Sequence, residues 1–227
     1  IMSKDGEIIG VIPVKGTSER ITLKNLRKFH DTSIFELKLD QLQLVENLDR
    51  IVVSSEDDKV LDIAINKGFE IHKRDPKYST SDVPMSDVYS YIASEIEGEH
   101  IAWINVTNPL AGSEIYTRAI QSYRDLGAQY DCLLSVSNVQ DYLFQNGSPI
   151  NFKPNPWPKS QDLSDVCEMT FIINILKRKD MVDWGSCVGN SPYLHYINKI
   201  DSWDIDFQED FDFCEMIYRN RQLKASI

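Results

Sequence analysis

Apolar residues follow two alternating patterns along the chain: short runs rich in β-branched residues, and longer stretches in which apolar positions recur every three or four residues. The short runs predict five strands, at Ile8–Val14, Arg50–Ser55, Glu70–His72, His100–Val106 and Asp131–Val136. The longer stretches predict four helices between them, at Ser33–Glu46, Asp57–Lys67, Pro84–Glu97 and Ser113–Leu126. This alternation predicts an α/β fold in three layers, with a mostly parallel twisted sheet between two layers of helices. Ligands of such sheets bind at the carboxyl ends of the strands.

The alternation breaks between residues 140 and 191, where four prolines follow one another closely. A proline-rich stretch of this length is either a flexible linker or an ordered lid over a site. Apolar runs at Phe171–Leu176 and Pro192–Asn198 predict two more strands, and Gln208–Leu223 predicts a final helix. We therefore expect a single domain over residues 1–227, in which residues 140–191 form a small irregular or antiparallel insertion that serves as a lid.

Composition narrows the class of protein. With 42% hydrophobic and 26% charged residues, the chain has the composition of a soluble globular protein. A net charge of −11 argues against a nucleic-acid partner, because such binders present a basic face. No apolar run approaches the ~20 residues that span a bilayer, and the first residues do not resemble a secretory signal. The four cysteines form no CxxC motif, so we expect reduced thiols in a cytoplasmic protein without a membrane partner.

The first predicted strand ends in a loop of small, hydroxyl and cationic residues. Glycine lets the backbone approach an anion, while hydroxyls, amides and cations donate hydrogen bonds or offset charge. The loop contains neither GxxxxGK[ST] nor GxGxxG, so it is not one of the common phosphate loops. It predicts a polyphosphate site of another type, and an ordinary polar loop is the alternative. The residues concerned are Lys15, Gly16, Thr17, Ser18, Arg20, Lys24 and Asn25.

Two carboxylates precede the final helix. Asp204 and Asp206 are two residues apart, so an extended chain presents both on one face. Such a pair suits Mg²⁺, which takes one or two protein oxygens and leaves its other positions to water and substrate phosphate. The alternative is an acidic cap of the helix, a role expected of Gln208, Glu209 and Asp210. The sequence leaves both interpretations of the pair open.

Taken in order, these segments resemble the cytidylyltransferase family that makes CMP-activated acidic sugars, which includes the acylneuraminate and 3-deoxy-manno-octulosonate cytidylyltransferases. The family hallmark reads roughly IPARGGSKRIPxKN; this chain reads IPVKGTSERITLKN and keeps Ser18, Arg20, Lys24 and Asn25. Farther on, WINVTNPLAG, KSQDL and DSWDIDFQEDF are similar to the family's LLQPTSPLR, RRQDLP and DIDTEEDF. RIVVSSEDDKVLDIAINKGFEIHKRDPKYSTSD looks like its strand, acidic turn, helix and Arg-Pro segment. The resemblance extends from residue 8 to about residue 218, with the pieces in the family's order.

The resemblance implies a reaction and a fold. An oxygen of an acidic acceptor attacks the α-phosphorus of CTP, pyrophosphate leaves, and a CMP-acceptor forms. This chemistry depends mainly on positioning and on neutralising phosphate charge. The implied fold is the Rossmann-like sheet of the nucleotide-diphospho-sugar transferases.

The resemblance also implies site residues. The triphosphate would be held by Gly16, Thr17, Ser18, Arg20 and Lys24, and the magnesium by Asp204 and Asp206. The base and ribose would be bound by Val14, Lys15, Asn25 and Arg74, with Ser81 and Asp82 in the same pocket. The remaining candidates are Asn105, Thr107, Gln161 and Asp162. Their alternatives are a turn signal after a strand for Asn105 and Thr107, loop polarity for Gln161 and Asp162, and a surface cation near Asp75 for Arg74.

The chain departs from the family pattern mainly where the family holds its acceptor. Lys15 replaces an arginine and Glu19 a lysine in the first loop, and arginine and lysine are not equivalent at phosphate sites. We expect Glu19 to face solvent, because an inward carboxylate would repel the triphosphate. Asn105 replaces a glutamine, Ala111 replaces an arginine, and the tyrosine and Asn-Gly-Ala that follow the QDL motif are missing. The nucleotide half is therefore better preserved than the acceptor half.

The expected acceptor is a sialic-acid-like or other 2-keto-3-deoxy sugar acid. The alternative is a phosphonate or phosphate monoester, which Lys153 and Lys159 of the proline-rich stretch would meet. A hypothesis of another class is a non-catalytic relative that binds nucleotide. The resemblance further implies a homodimer in which residues 140–191 of one subunit reach over its neighbour's site, and Trp157 and Trp184 suit such an interface.

Overall fold

The computed structural model describes residues 6–16 and 21–225. Within them the chain forms eleven strands, six helices and two single turns of 3₁₀-helix, at Pro76–Ser79 and Ser160–Asp162. The strands are β1 Ile8–Pro13, β2 Lys28–Phe29, β3 Thr32–Ser33, β4 Arg50–Ser55, β5 Glu70–Lys73, β6 His100–Trp103, β7 Cys132–Asn138, β8 Phe144–Gln145, β9 Ser148–Pro149, β10 Cys167–Lys177 and β11 Pro192–Tyr196. The helices are α1 Ile34–Gln43, α2 Asp58–Asn66, α3 Met85–Glu95, α4 Ser113–Arg124, α5 Arg178–Trp184 and α6 Gln208–Ala225.

Seven strands form the central sheet, in the order β11-β7-β10-β6-β1-β4-β5. Strand β1 pairs in parallel with both β4 and β6, while β10 runs antiparallel to its neighbours β6 and β7. The predicted α/β fold with a mostly parallel sheet is therefore confirmed. Since six strands run in one direction, their carboxyl ends share one edge of the sheet.

Strand β1 is buried on both faces, as expected for a central parallel strand. Its alternate residues enter two apolar clusters, with Ile8 and Ile12 on one face and Ile9 and Val11 on the other. Burying each isoleucine contributes roughly 1.5–3 kcal/mol relative to leaving it exposed. The loop that follows β1 therefore begins at a fixed position on the carboxyl edge of the sheet.

Helices α1 and α2 begin one residue after the predicted starts, because Ser33 and Asp57 are caps. The hydroxyl of Ser33 accepts the backbone N–H of Glu36, and the carboxylate of Asp57 accepts that of Lys59. Capping side chains of this kind fix where a helix begins. The Asp57 cap matters for the site, because it follows the carboxyl end of β4 by two residues.

The predicted insertion at residues 140–191 divides into two parts. Residues 139–166 are irregular except for the short β8–β9 hairpin and a 3₁₀ turn, whereas β10 lies in the middle of the central sheet. Strand β10 changes register between Met169 and Asn174, and Phe171 within it has φ +55°. A bulge of this kind bends a strand and re-aims its side chains. The lid and dimer roles of residues 140–191 stay predictions.

Within residues 6–16 and 21–225, no helix is both long and apolar enough to cross a bilayer.

Candidate active site

A cleft of about 570 Å³ opens at the carboxyl ends of β1, β5 and β6. Among the described residues, five charged ones line it: Lys15, Lys24, Arg74, Asp204 and Asp206. The loop that follows β1 and the late aspartate pair are almost two hundred residues apart in sequence, yet they share this cleft. The arrangement brings cations and carboxylates together where α/β sheets bind their ligands.

Arg74 forms part of one wall of the cleft and is only 2% exposed. Its Nη2 donates hydrogen bonds to the carbonyl oxygens of Val14 at 2.6 Å and Ser54 at 2.8 Å. Burial lowers the pKa of the guanidinium, and the Glu56 carboxylate, 3.7 Å away, opposes that shift. Its buried Nε has no hydrogen-bond partner in the described part of the chain. Arg74 is thus not the surface cation that the alternative interpretation suggested.

The backbone after β1 is held in place by two side chains. Asn25 Nδ2 donates to the carbonyl oxygen of Lys15 at 3.0 Å, and Glu56 Oε1 accepts the Gly16 N–H at 2.9 Å. A Cβ on Gly16 would lie 2.1 Å from Asp57 Oδ2, so the close approach of these two turns requires glycine. The buried Oδ1 of Asn25 finds no partner among the described residues. Lys15 of this turn lines the cleft, whereas the predicted site residues Val14, Gly16 and Asn25 are not among its lining residues.

The cleft's acidic side is a short segment that we call the acidic strap, residues 202–206. The Ile205 carbonyl accepts a hydrogen bond from Lys24 Nζ at 2.7 Å, and the Ile205 N–H donates to the Thr107 carbonyl at 2.9 Å. Asn108 Nδ2 donates to the carbonyls of Ser202 and Trp203, at 3.2 and 3.3 Å. The strap is thus fastened to the loop after β6 and to the turn that carries Lys24.

Asp204 and Asp206 face the cleft, and a different carboxylate serves the helix. Asp210 accepts the backbone N–H groups of Asp206 at 3.1 Å and Phe207 at 2.8 Å, so it performs the capping role that the sequence predicted for it. The Asp204 side chain is exposed, yet desolvation by the surrounding protein raises its pKa. The nearby Asp206 and Asp210 raise it further, while the Thr107 hydroxyl and Lys24 lower it.

Crowded carboxylates of this kind fit a cation. The described residues contain no group of three or more His, Cys, Asp or Glu side chains able to hold a metal by themselves. Mg²⁺ needs only one or two protein carboxylates when substrate phosphates supply other ligands. The donor set of Asp204 and Asp206 therefore fits the predicted ion, and magnesium itself stays a prediction.

The other predicted site residues fall into three groups. Ser81, Asn105 and Thr107 line the cleft, whereas the exposed Asp82, Gln161 and Asp162 are not among its lining residues. Lys153 and Lys159, proposed to meet an anionic acceptor, are also exposed and outside this lining. Thr17, Ser18, Glu19 and Arg20 lie outside the described residues, so their predicted roles and orientation stay predictions.

An apolar wall of the cleft was missed from the sequence. It consists of Val83, Val88, Tyr89, Trp103 and Phe171. Trp103 was assigned to the core or an interface, and it does belong to the core at 2% exposure, but its position also makes it a cleft residue. The bulge in β10 that brings Phe171 to the cleft leaves no local sequence signal. Glu56 was also missed, although its position directly after a strand pointed to the carboxyl edge.

The fold and the cleft define a class, an α/β nucleotide-binding enzyme with a charged site at the carboxyl edge of its sheet. Residues 9–226 match the family model described as Cytidylyltransferase, and the chain belongs to this family. It is therefore a CTP-dependent nucleotidyltransferase, as its motifs predicted.

Relatives of known name are distant in sequence. The chain is 22% identical to post-translational flagellin modification protein B of Campylobacter coli, over 96% of this chain and 98% of the relative. It is also 22% identical to N-acylneuraminate cytidylyltransferase A of Danio rerio, over 93% of this chain but 51% of the relative. The chain thus spans about half the length of the second protein.

Solved structures share the fold. CMP:2-keto-3-deoxy-manno-octonic acid synthetase, solved with CTP, superposes with a TM-score of 0.71 at 12% identity, over 95% of this chain and 99% of that one. The 4-diphosphocytidyl-2C-methyl-D-erythritol synthase of Anaerococcus prevotii gives a TM-score of 0.67 at 13% identity, over 94% and 96% of the two chains. At such low identities these likenesses establish the fold alone.

Proposed function

We propose that this enzyme transfers CMP from CTP to a sialic-acid-like or other 2-keto-3-deoxy sugar acid and releases pyrophosphate. The observation that carries the proposal is the shared cleft, in which Lys24, Arg74 and Asp206 converge from distant parts of the chain. Two of the similar proteins are named for sugar acids, an N-acylneuraminate and 2-keto-3-deoxy-manno-octonic acid.

The nucleotide half of the cleft is suited to reading a base. The carbonyl oxygens of Val14 and Lys15 are fixed by hydrogen bonds from the side chains of Arg74 and Asn25, and Lys15 and Arg74 line the cleft. The exocyclic amino group of cytosine donates to such a carbonyl, where uracil offers only another acceptor. Binding the wrong base would leave buried polar groups unsatisfied, which is how enzymes reject close analogues.

The charged residues divide the work at the phosphates. Lys24 is oriented by Ile205 and lies near the Asp204 carboxylate, so its charge is placed between the strap and the incoming nucleotide. Magnesium held by Asp204 and Asp206 would neutralise charge on the phosphate oxygens. The acceptor oxygen attacks the α-phosphorus and releases its proton, while the bond to pyrophosphate breaks and pyrophosphate takes the electron pair. Positioning and electrostatic stabilisation supply most of the acceleration of such reactions.

The proposed acceptor half of the cleft contains apolar side chains that a small anionic acceptor would not need. Val88, Trp103 and Phe171 offer a surface that suits methyl, methylene or acyl groups of a substituted sugar acid. Lys153 and Lys159, which would meet a phosphonate, are exposed and lie outside the cleft lining of their own subunit. A sugar acid with apolar substituents therefore has more support than a compact phosphonate.

A pyrophosphate-release assay with CTP and Mg²⁺ tests the proposal. The acceptor panel contains N-acetylneuraminate, 3-deoxy-manno-octulosonate and two alkyl phosphonates, with UTP and ATP as alternative nucleotides. We expect release with CTP and a sugar acid, and formation of the CMP-sugar by mass spectrometry. Turnover with phosphonates only would overturn the acceptor. Binding of CTP without turnover on any acceptor would instead favour a nucleotide-binding relative.

We also propose that the enzyme is a cytoplasmic homodimer. Residues 139–166 carry a cluster of aromatic side chains, in which Phe144 is 59% exposed and Trp157 is 62% exposed. Exposed aromatic residues that lie together, unlike single ones, are typical of a protein–protein interface. The four cysteines are free thiols, which is typical of a reducing compartment. Sedimentation of the wild type and of the Trp157→Ala variant tests the dimer, because a monomer in both cases would contradict it.

A further inference from the structure

Glu56 follows β4 directly, and its carboxylate joins three segments of the cleft wall. Oε1 accepts the Gly16 N–H at 2.9 Å, and Oε2 accepts the Ser79 hydroxyl at 2.7 Å. Oε2 also lies 3.7 Å from Nη2 of Arg74. One side chain therefore contacts the loop after β1, the 3₁₀ turn before Thr80 and Ser81, and the buried arginine.

The segment that carries Glu56 is itself rigid. The next residue, Asp57, caps α2 by accepting the Lys59 N–H at 2.7 Å, and the Glu56 carbonyl accepts a hydrogen bond from Lys73 Nζ at 2.8 Å. Gly16 packs so closely on Asp57 that no Cβ fits between them. Because the backbone of Glu56 is fixed relative to the sheet, its carboxylate fixes the position of the loop that contains Gly16.

We propose that Glu56 is a positioning residue for the nucleotide half of the cleft. Its carboxylate holds the Gly16 turn, the Ser79 turn and Arg74 in the arrangement that binds the cytosine nucleotide, without itself touching the reacting atoms. The inference rests on the proposed function, since it assigns a role within the CTP site.

The same contacts allow a second role for Glu56, in which its carboxylate would lower the affinity for CTP. The Gly16 N–H, which donates to the Glu56 carboxylate, could instead donate to a phosphate oxygen of the nucleotide. In that case Glu56 would compete with CTP for this donor. Its simultaneous contacts with Ser79 and Arg74 favour positioning, because Arg74 also bonds the Val14 carbonyl and so belongs to the base-reading wall. The two roles predict changes of CTP affinity in opposite directions.

The experiment compares Glu56→Ala, Glu56→Gln and the control Asp62→Ala by calorimetric titration with CTP and Mg²⁺. Asp62 lies six residues farther on, at an exposed position of α2. We expect Glu56→Ala to weaken CTP binding by about ten- to a hundredfold, the size expected for loss of hydrogen bonds at a charged group. Glu56→Gln should recover most of the affinity, because its amide oxygen still accepts the Gly16 N–H. Asp62→Ala should bind like the wild type.

Steady-state kinetics separate positioning from a general loss of structure. In Glu56→Ala, KM for CTP should rise while kcat at saturating CTP stays within about twofold, and selectivity against UTP should fall. If Glu56→Ala does not fold, Glu56→Asp replaces it, since a chain shorter by one methylene cannot hold both Gly16 and Ser79. Unchanged or tighter CTP binding in the folded variant would overturn the inference while leaving the proposed function intact. A wild type that does not bind CTP would overturn both.

Discussion

Lys24 Nζ and the carbonyl oxygen of Ile205 are joined by a 2.7 Å hydrogen bond across 181 residues of sequence. Lys24 follows the loop after β1, and Ile205 lies between the two cleft aspartates. The bond therefore connects the turn that carries Lys24 to the acidic strap. Lys24 thus helps to hold the site together, and under the proposed function it also binds phosphate.

Replacing Lys24 tests this double role. Lys24→Met removes the cation and the strap's hydrogen bond, so we expect kcat/KM for CTP to fall by about a hundredfold or more. Lys24→Arg should recover only part, because a planar guanidinium does not reproduce a point charge at the Ile205 carbonyl. Lys28→Met, at an exposed position four residues away, is the matched control. Activity of Lys24→Met within threefold of the wild type would contradict the assignment.

Asp206→Asn tests the acidic pair. The substitution keeps the backbone N–H that Asp210 accepts, so the helix cap is preserved while one carboxylate charge is lost. We expect magnesium-dependent turnover to fall by about a hundredfold or more, with little change in the melting temperature. Titration with CTP in EDTA should give the same affinity as the wild type. Glu209→Gln, exposed in the first turn of α6, serves as the control for charge, and a full retention of turnover in Asp206→Asn would remove the pair from the mechanism.

Local patterns were sufficient for the parts of the fold that local physics determines. The predicted strand Arg50–Ser55 coincides with β4, because its apolar run ends in an acidic turn that caps the next helix. The predicted helix starts at Ser33 and Asp57 differ by one residue, since capping residues carry the helix signal but have extended backbone. The order of the motifs along the chain was sufficient to predict the family. Four of the motifs contribute a residue to the cleft lining, namely Lys15, Arg74, Asn105 and Asp206, whereas Gln161 and Asp162 of KSQDL lie outside it.

Long-range contacts account for what was missed. The antiparallel β10 looked like part of an insertion, because nothing within its own sequence states that it lies between β6 and β7. The local sequence Lys-Arg-Asp-Pro is also typical of a surface cation, so only the family resemblance predicted Arg74 as a site residue. Its burial and its hydrogen bonds to the Val14 and Ser54 carbonyls depend on long-range contacts. Glu56 depends in the same way on Gly16, which lies 40 residues earlier in the chain.

Phe171 provides a test of the apolar wall. Phe171→Ala removes an aromatic ring from the part of the cleft that we propose to hold the acceptor. We therefore expect KM for the sugar acid to rise by about tenfold, the size of roughly 1.4 kcal/mol of lost contact. KM for CTP should not change, because the proposed nucleotide half does not include this ring. Leu44→Ala, which truncates an exposed apolar side chain at the end of α1 and outside the cleft lining, is the control. A rise in KM for CTP instead would place Phe171 in the nucleotide half.

Lys38 connects helix α1 to the acidic strap through Asn108. The residue is fully buried on α1, and its Nζ donates to the Asn108 carbonyl at 2.9 Å and to the Tyr116 hydroxyl. Asn108 in turn holds the carbonyls of Ser202 and Trp203. Burial lowers the pKa of Lys38 from 10.5 to about 7.

This lowered pKa predicts a pH-dependent stability. Between about pH 7 and 10 the unfolded chain binds a proton that folded Lys38 does not, so the free energy of unfolding should rise with pH. Relative to Lys38→Met, the rise should approach about 1.4 kcal/mol per pH unit, because other titrating groups cancel in the comparison. Below about pH 7 both states are protonated, so the fold bears the full cost of a buried charge and the difference should level off. Urea unfolding of both proteins from pH 6 to 9 measures this slope; parallel curves over that range would mean that Lys38 remains charged in its buried position.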